Sequence, residues 1–335
     1  MYLGRTPIPR FKIPMGSYLL LIATEDKAKS DQDDQATFAP VRVPVFIGRN
    51  ADESVDVTLV RESEIPAGFV QIPAGKAVCQ GDREDPYSGP REIRETDDSF
   101  LAEFPVTCAE YLEFLNDRSA MGEEEAARRV PRASENAGFY WLRGEDGRFA
   151  IPTAAWLAQT GEAGQASLRR LAQCPFDWEA DWPVLSVSWE DAVTYAAWFS
   201  RRHGLLAALP HEVMWEKAAR GTDARVYPFG AHFDETYANV SRSHDGPARP
   251  CPVRSFPPDE SPYGARGLCG NSADWCFADG PESLRQPVRG GAWLGNRLRA
   301  RASHRGGNPR TYVFEGNGFR LAVLPRASGA DPRGP

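Results

Sequence analysis

Thiols and imidazoles hold soft metals and serve as nucleophiles, and this chain of 335 residues has few of either: Cys79, Cys108, Cys174, Cys251, Cys269 and Cys276, with His203, His211, His232, His244 and His304. No two cysteines stand at CxxC spacing and no two histidines at HxE or HxxxH spacing. The sequence therefore offers no zinc ribbon, thioredoxin pair or histidine iron site. His211-Glu212 begins as a zinc-protease helix would, but that motif needs a second histidine four residues on, and the position is Trp215. The richer chemistry lies in residues 288–322, VRGGAWLGNRLRARASHRGGNPRTYVFEGNGFRLA, with two glycine pairs, seven arginines, His304 and four aromatics. Arginine and aromatic side chains dominate binding hot spots. On a chain of formal net charge −7 this run is a local cationic segment able to attract an anion. The acidic whole argues against a nucleic-acid binder.

Rigid elements must hold such a segment. Arg289-Gly-Gly followed by small and aromatic residues reads as a buried strand entered through a tight turn, and residues 317–323 read as a closing strand. The stretch between them, about 25 residues, is too rich in arginine and turns for a core and is expected as an exposed irregular surface. Upstream, Phe69-Val-Gln-Ile is a strand. Thr107 with Glu110, and Ser188 with Asp191, are capping-box starts of helices that bury Tyr111, Leu112, Phe114 and Leu115, and Ala192, Tyr195, Ala196 and Phe199. A third helix is read over LPHEVMWEKAAR (209–220). Residues 117–182 add a charged helix near 122–130, a hairpin around Gly144–Gly147, and the aromatics Tyr140, Trp141 and Trp156, expected to pack or to present a partner surface.

Six ordered blocks carry a resemblance: EFPVTCAEYLEFLND (103–117), PVLSVSWEDAVTYAAWFSRR (183–202), LPHEVMWEKAARG (209–221), YPFG (227–230), SFPPDESPYGARGLCGNSADWC (255–276) and the RGG…GFRLA run. Together they resemble the formylglycine-generating enzyme (sulfatase-modifying factor) family over roughly residues 65–325. The resemblance implies an α+β fold, an irregular C-type-lectin-like domain. It places a helix cap at His211, where the family usually has Thr. The family's reaction oxidises a sulfatase cysteine with copper held by two thiolates just after the RGG strand, because Cu(I) prefers sulfur. Counting forward from Arg289 puts those positions at Gly295 and Ala300, and counting back from Arg305 puts them at Ala292 and Arg297; no cysteine follows Cys276. The scattered histidines likewise do not match the iron-dependent sulfoxide synthases of the superfamily. Neither copper nor iron is expected, and Cys269 with Cys276 is the one pair a relocated thiol chemistry could use. Structural calcium is implied by two family loops. One maps to the side chains of Asn239 and Asp245 and the carbonyls of Val240 and Pro247, the other to Asp274.

Without the thiols, the surface that remains is expected to bind rather than transform, through Trp293, Leu294, Asn296, Arg297, Arg299, His304, Asn308, Arg310, Tyr312 and Phe314. Arg289, Arg301, Arg305 and Arg320 are instead expected as internal forks between strands. The C-terminal placement is similar to that in variable proteins of diversity-generating retroelements, in which this segment is hypervariable and recognises a protein or other macromolecule. Residues 1–61 alternate apolar and polar residues and resemble a small β-sandwich (PEGA-type) module found before such domains in some bacterial kinases, which raises a kinase-linked system as a partner. The organisation read from the chain is 1–61 as a small β-rich module, with a polar loop at 27–35, 62–325 as the main domain and 326–335 as a disordered tail. The apolar run at 18–23 is far short of the ~20 residues of a membrane span, no secretory signal precedes it, and the cysteines are expected reduced and buried, so the chain is read as cytoplasmic.

Overall fold

The computed structural model describes residues 2–24, 37–117, 119, 121–134, 137–141, 143–152, 178–279 and 284–325. Trp156, Cys174, the 27–35 loop and the 326–335 tail lie outside the described residues. Strands β1 (Gly16–Ile22) and β2 (Val41–Ile47) form an antiparallel hairpin in register Gly16↔Ile47 to Ile22↔Val41. Val41, Val43 and Pro44 of β2 are buried, whereas Leu19, Leu21 and Phe46 face outward. Arg42 ties the hairpin to the main body, donating Nε to the Pro262 carbonyl at 2.9 Å and pairing with Glu260 at 2.7 Å. The described part of the β-rich module is thus a two-stranded hairpin, and residues 51–60, expected as further strand, have none.

Two four-stranded sheets frame the main domain. The first contains β3 (Phe69–Ile72), β6 (Ser99–Ala102), β14 (Ala322–Val323) and β9 (Ala207–Ala208), in the order β3-β6-β14-β9. The second contains β12 (Gly306–Pro309), β11 (Arg285–Arg289), β10 (Ala273–Trp275) and β13 (Asn317–Gly318), in the order β12-β11-β10-β13 with β10 and β13 parallel. The expected closing strand over 317–323 is therefore two strands in two sheets. Between them, Phe319 and Leu321 go into the core and Arg320 into an ionic cluster. Two smaller antiparallel pairs, β4 (Gly75–Cys79) with β5 (Glu92–Thr96) and β7 (Arg132–Ser134) with β8 (Ala137–Phe139), decorate this frame.

Helices α1 (Cys108–Asn116), α2 (Glu123–Arg128), α3 (Trp189–His203) and α4 (Glu212–Arg220) fill the space around the sheets. Both capping boxes form: Thr107 accepts from the Glu110 amide, Ser188 accepts from the Asp191 amide, and the acid reaches back to the cap amide in each. Each satisfies two otherwise unpaired N–H groups at a helix start. Tyr111 of α1 stacks on Tyr195 of α3 at 5.7 Å and meets Phe319 edge-on, and Phe114 packs against Tyr195 and Trp198 of α3. Tyr140 and Trp141 join this core, so they are packing residues and not a partner surface. Helix α4 is buried along almost its whole length, from Glu212 to Arg220 with only Val213 partly exposed. A helix carrying Glu212, Glu216, Lys217 and Arg220 can lie inside only because each charge finds a partner there. Lys217 Nζ donates to the carbonyls of Pro73 and Gly75 and to Thr96, and Glu216 pairs with Arg220 and Arg289. His211 caps this helix as expected, its Nδ1 accepting from the Val213 amide at 3.2 Å.

Candidate ligand-binding site

The RGG motif leaves strand β11 rather than entering a strand. Arg289 ends β11, and Gly290 and Gly291 turn the chain at φ +89° and +70°. A Cβ on Gly291 would stand 2.7 Å from the Arg299 carbonyl oxygen, so the turn closes against the far side of its own loop. Arg289, 2% exposed, donates to the Ser303 and His304 carbonyls and to Glu212 and Glu216. Arg301 grips Asp82 with two bonds at 2.6 and 3.0 Å, and Arg305 grips Glu212 with two at 2.6 and 2.8 Å. Arg320 pairs with Asp274 and donates to the carbonyls of Ala102, Glu103, Arg266 and Gly267. All four act as forks, but only Arg289, Arg301 and Arg320 are internal, since Arg305 is exposed. Arg301 and Arg305 do so through carboxylates, not through the backbone carbonyls that Arg289 and Arg320 also use. Burial would push the Glu212 carboxyl up, but Arg305 and Arg289 outweigh it and hold the group below the ordinary carboxylate range.

This frame divides the ten expected contact residues. Trp293 is buried, its indole N–H donating to the Glu315 carbonyl at 3.0 Å, and His304 is buried with Nδ1 3.2 Å from both Asp85 oxygens. Both leave the expected contact set: their rings anchor the loop from beneath. Burial pulls the His304 imidazole below its ordinary range although Asp85 pulls the other way. The expected exposed irregular loop is also broken by β12, where Asn308 is half-buried opposite Gln286. Asn296, Arg297, Arg299, Arg310 and Tyr312 are exposed, with Leu294 and Phe314 half-buried beside them. Arg310 lies over the Trp189 ring at 5.1 Å, and Tyr312 and Phe314 lie nearly parallel at 6.4 Å. Leu294 and Phe314 converge on Gly316, where an added Cβ would meet both within 3.3 Å.

At the other end of this strip Asn296, Arg297 and Leu298 form one wall of a cleft of about 550 Å³, closed by Phe233, Glu235, Val240, Ser241 and Arg242. The Ser241 amide donates to the Gly295 carbonyl at 2.8 Å and joins the two walls. Apart from Asn239 and Val240, read from the sequence as part of a calcium loop, the 233–242 wall gains its role only from its closeness in space to 296–298. Arg242 in a loop ending YPFGAHFDETYANVSRS was the one available signal, as a cation without a nearby helical partner.

The metal expectations meet different fates. Gly295, Ala300, Ala292 and Arg297 supply no sulfur, and the described cysteines are all buried. Cys269 packs with Tyr227, Val240 and Ala300, whereas Cys276 packs with Trp215 and Leu268 in a separate cluster. Burial raises both thiols well above their ordinary range. The residues present do not fit a two-thiolate copper site. Asp274 Oδ2 accepts from the Trp215 indole and from Arg320, which neutralises the carboxylate and weakens its claim on a cation, while its buried Oδ1 has no hydrogen-bond partner. Asn239 donates to Asn271 and the Arg249 carbonyl and its Oδ1 meets His244 Nε2 at 2.9 Å, while Asp245 and Pro247 are exposed and Val240 is buried. Calcium bound through Asn239 Oδ1 would have to displace His244 from it.

The chain belongs to the sulfatase-modifying factor enzyme 1-like domain family, whose model matches residues 57–324. It is 29% identical over 285 residues to the mouse inactive C-alpha-formylglycine-generating enzyme 2, covering 76% of this chain and 85% of the mouse protein. It is 28% identical over 265 residues to the formylglycine-generating enzyme of Thermomonospora curvata, covering 67% and 76%. Among solved structures it resembles PvdO from Pseudomonas aeruginosa (TM-score 0.55, 21% identity, 76% of this chain and 93% of that one). It also resembles Treponema denticola variable protein 1 (TM-score 0.52, 17% identity, 76% and 94%), and these likenesses establish the irregular α+β, C-type-lectin-like fold. Among the described residues no helix is long and apolar enough to cross a membrane.

Proposed function

We propose that the protein is a non-catalytic ligand-binding member of this family, recognising a protein through the strip from Leu294 to Phe314. The observation that supports this reading is a division of labour within one segment. Arg289, Trp293, Arg301 and His304 immobilise the loop from below, leaving Asn296, Arg297, Arg299, Arg310 and Tyr312 outside on a rigid support. Rigid presentation lowers the ordering cost of binding. The relation to an inactive mouse homologue is consistent with lost chemistry. The test is affinity capture from the source cell with wild type and with Arg310→Glu/Tyr312→Ala. Partners lost by the variant, at an unchanged melting temperature, support the reading; an identical partner set contradicts it. The finer form of the reading is a retroelement-diversified receptor working in the cytoplasm. It requires a near-identical copy of the codons for residues 292–319 in flanking DNA, differing at adenines, and its absence removes that form. A neighbouring kinase gene would instead make the domain a regulatory scaffold. Similarity to the Thermomonospora curvata enzyme favours an oxidoreductase as the second reading, and stoichiometric copper or iron in the purified protein would support it.

A further inference from the structure

We infer that the cleft between residues 233–242 and 296–298 is a subsite for an oxyanion carried on a short apolar stem, most simply a carboxylate. This deepens the binding reading and rests on it only for the claim that this face is a recognition surface. The lining divides by chemistry. Arg242 and Arg297 supply guanidinium groups, Ser241 and Asn296 supply neutral donors, and Phe233, Val240 and Leu298 supply apolar wall. Among the described residues neither Arg242 nor Arg297 has a carboxylate in ion-pair range, although the chain carries 46 acidic residues against 39 basic ones. By contrast Arg289, Arg301, Arg305 and Arg320 in the same C-terminal run are all paired. Unpaired guanidinium groups brought together in a concave site recognise planar oxyanions, because their fork matches two carboxylate oxygens. The volume of about 550 Å³ lies within the range of small-ligand pockets, so a single acidic group with a ring or short chain suffices.

The walls are fixed before any ligand arrives. Asn296 Oδ1 accepts from the Leu298 and Arg299 amides, the Tyr227 hydroxyl donates to the Arg297 carbonyl, and Ser243 Oγ bridges the Val240 amide and the Ala238 carbonyl. Tyr227, Phe229, Phe233 and Tyr237 pack into one aromatic cluster behind the second wall. Only the arginine side chains must order on binding. Glu235 is the single carboxylate in the lining and opposes an anion. Its removal gives a test that a merely structural role would not pass.

The experiment is calorimetric titration of the full chain with 3-phenylpropionate and with its neutral amide. A second arm uses a short peptide ending in phenylalanine, with a free or an amidated C-terminus, to separate a free small acid from a polypeptide end. The acid is expected to bind at least 10-fold more tightly than the amide and to weaken several-fold between 50 and 500 mM salt, as the range of screening contracts. Arg242→Gln and Arg297→Gln each weaken binding at least 5-fold, Glu235→Gln tightens it, and Arg128→Gln on the exposed side of α2 leaves it unchanged. Circular dichroism melts confirm that the variants fold. Equal binding of acid and amide, or retained affinity in both cleft-arginine variants, overturns the subsite. Because both probes are small, the subsite can fail while partner capture by the Tyr312 end still holds, and the reverse.

Discussion

Burial pushes the Asp259 carboxyl up to about 7, even though the Cys269 amide and the nearby Arg320 and Arg266 pull it down. Its Oδ1 has no partner, while its Oδ2 accepts from Cys269. An acid whose native value lies above its unfolded one keeps its proton in the folded state after the unfolded chain has released it. Stability therefore falls as pH rises from about 4 to about 7, and the full cost persists above 7. Asp259→Asn retains an acceptor for the Cys269 amide without the charge. Urea unfolding should give wild type and variant similar stability at pH 4, with the variant ahead by roughly 2–4 kcal/mol at pH 8. A constant difference across that range would refute this account of Asp259. At this scale the sequence was legible for residues whose role follows from local spacing. Thr107, Ser188 and His211 cap where expected, and of the four forking arginines Arg289, Arg301 and Arg320 are buried while Arg305 stays exposed. It was not legible for Trp293 and His304, since indole and imidazole suit an interface and a core alike, and only Glu315 and Asp85 decide between them.

Among the elements, α4 and β11 depend on each other. Arg289 on β11 neutralises Glu212 and Glu216 on α4 while holding the 303–304 backbone, so Arg289→Met leaves two buried carboxylates short of a partner. Breaking a buried pair in this way costs about 3 kcal/mol, to be read from denaturant midpoints; a loss below about 1 kcal/mol would mean that Arg220 and Arg305 suffice alone. Gly291→Ala forces a side chain into a positive-φ turn and against the Arg299 carbonyl, and should cost about 2 kcal/mol or more and blur the loop. Neither change touches the outer side chains, so loss of binding in either reports the frame. The strands themselves were only half legible. Residues such as Asn317-Gly318 and Ala322-Val323 pair for two residues each, too short to leave a periodic signature, and the ladder passes from one sheet to the other across Phe319–Leu321. The RGG strand was assigned to the wrong side of its glycines because a glycine pair marks a turn without saying which flank is extended.

The whole molecule has the framework of the sulfatase-modifying factor enzyme 1-like family, braced by buried ion pairs, and no cysteine follows Cys276. Six motif blocks spread over the main domain made the family legible. The cleft was not, because its walls lie about 55 residues apart in the chain and meet only through folding. Exposed-strip substitutions such as Arg310→Glu and Tyr312→Ala should each leave stability within about 0.5 kcal/mol, as expected of surface positions away from caps and buried pairs. The most direct test of a scaffold that binds without transforming is mass spectrometry of a cysteine-bearing sulfatase-type peptide incubated with the full chain, Cu(I), a thiol reductant and oxygen. The account predicts that the peptide keeps its thiol at every time point, as it does without protein. Accumulation of the formylglycine product, lost again on removal of copper, would contradict it.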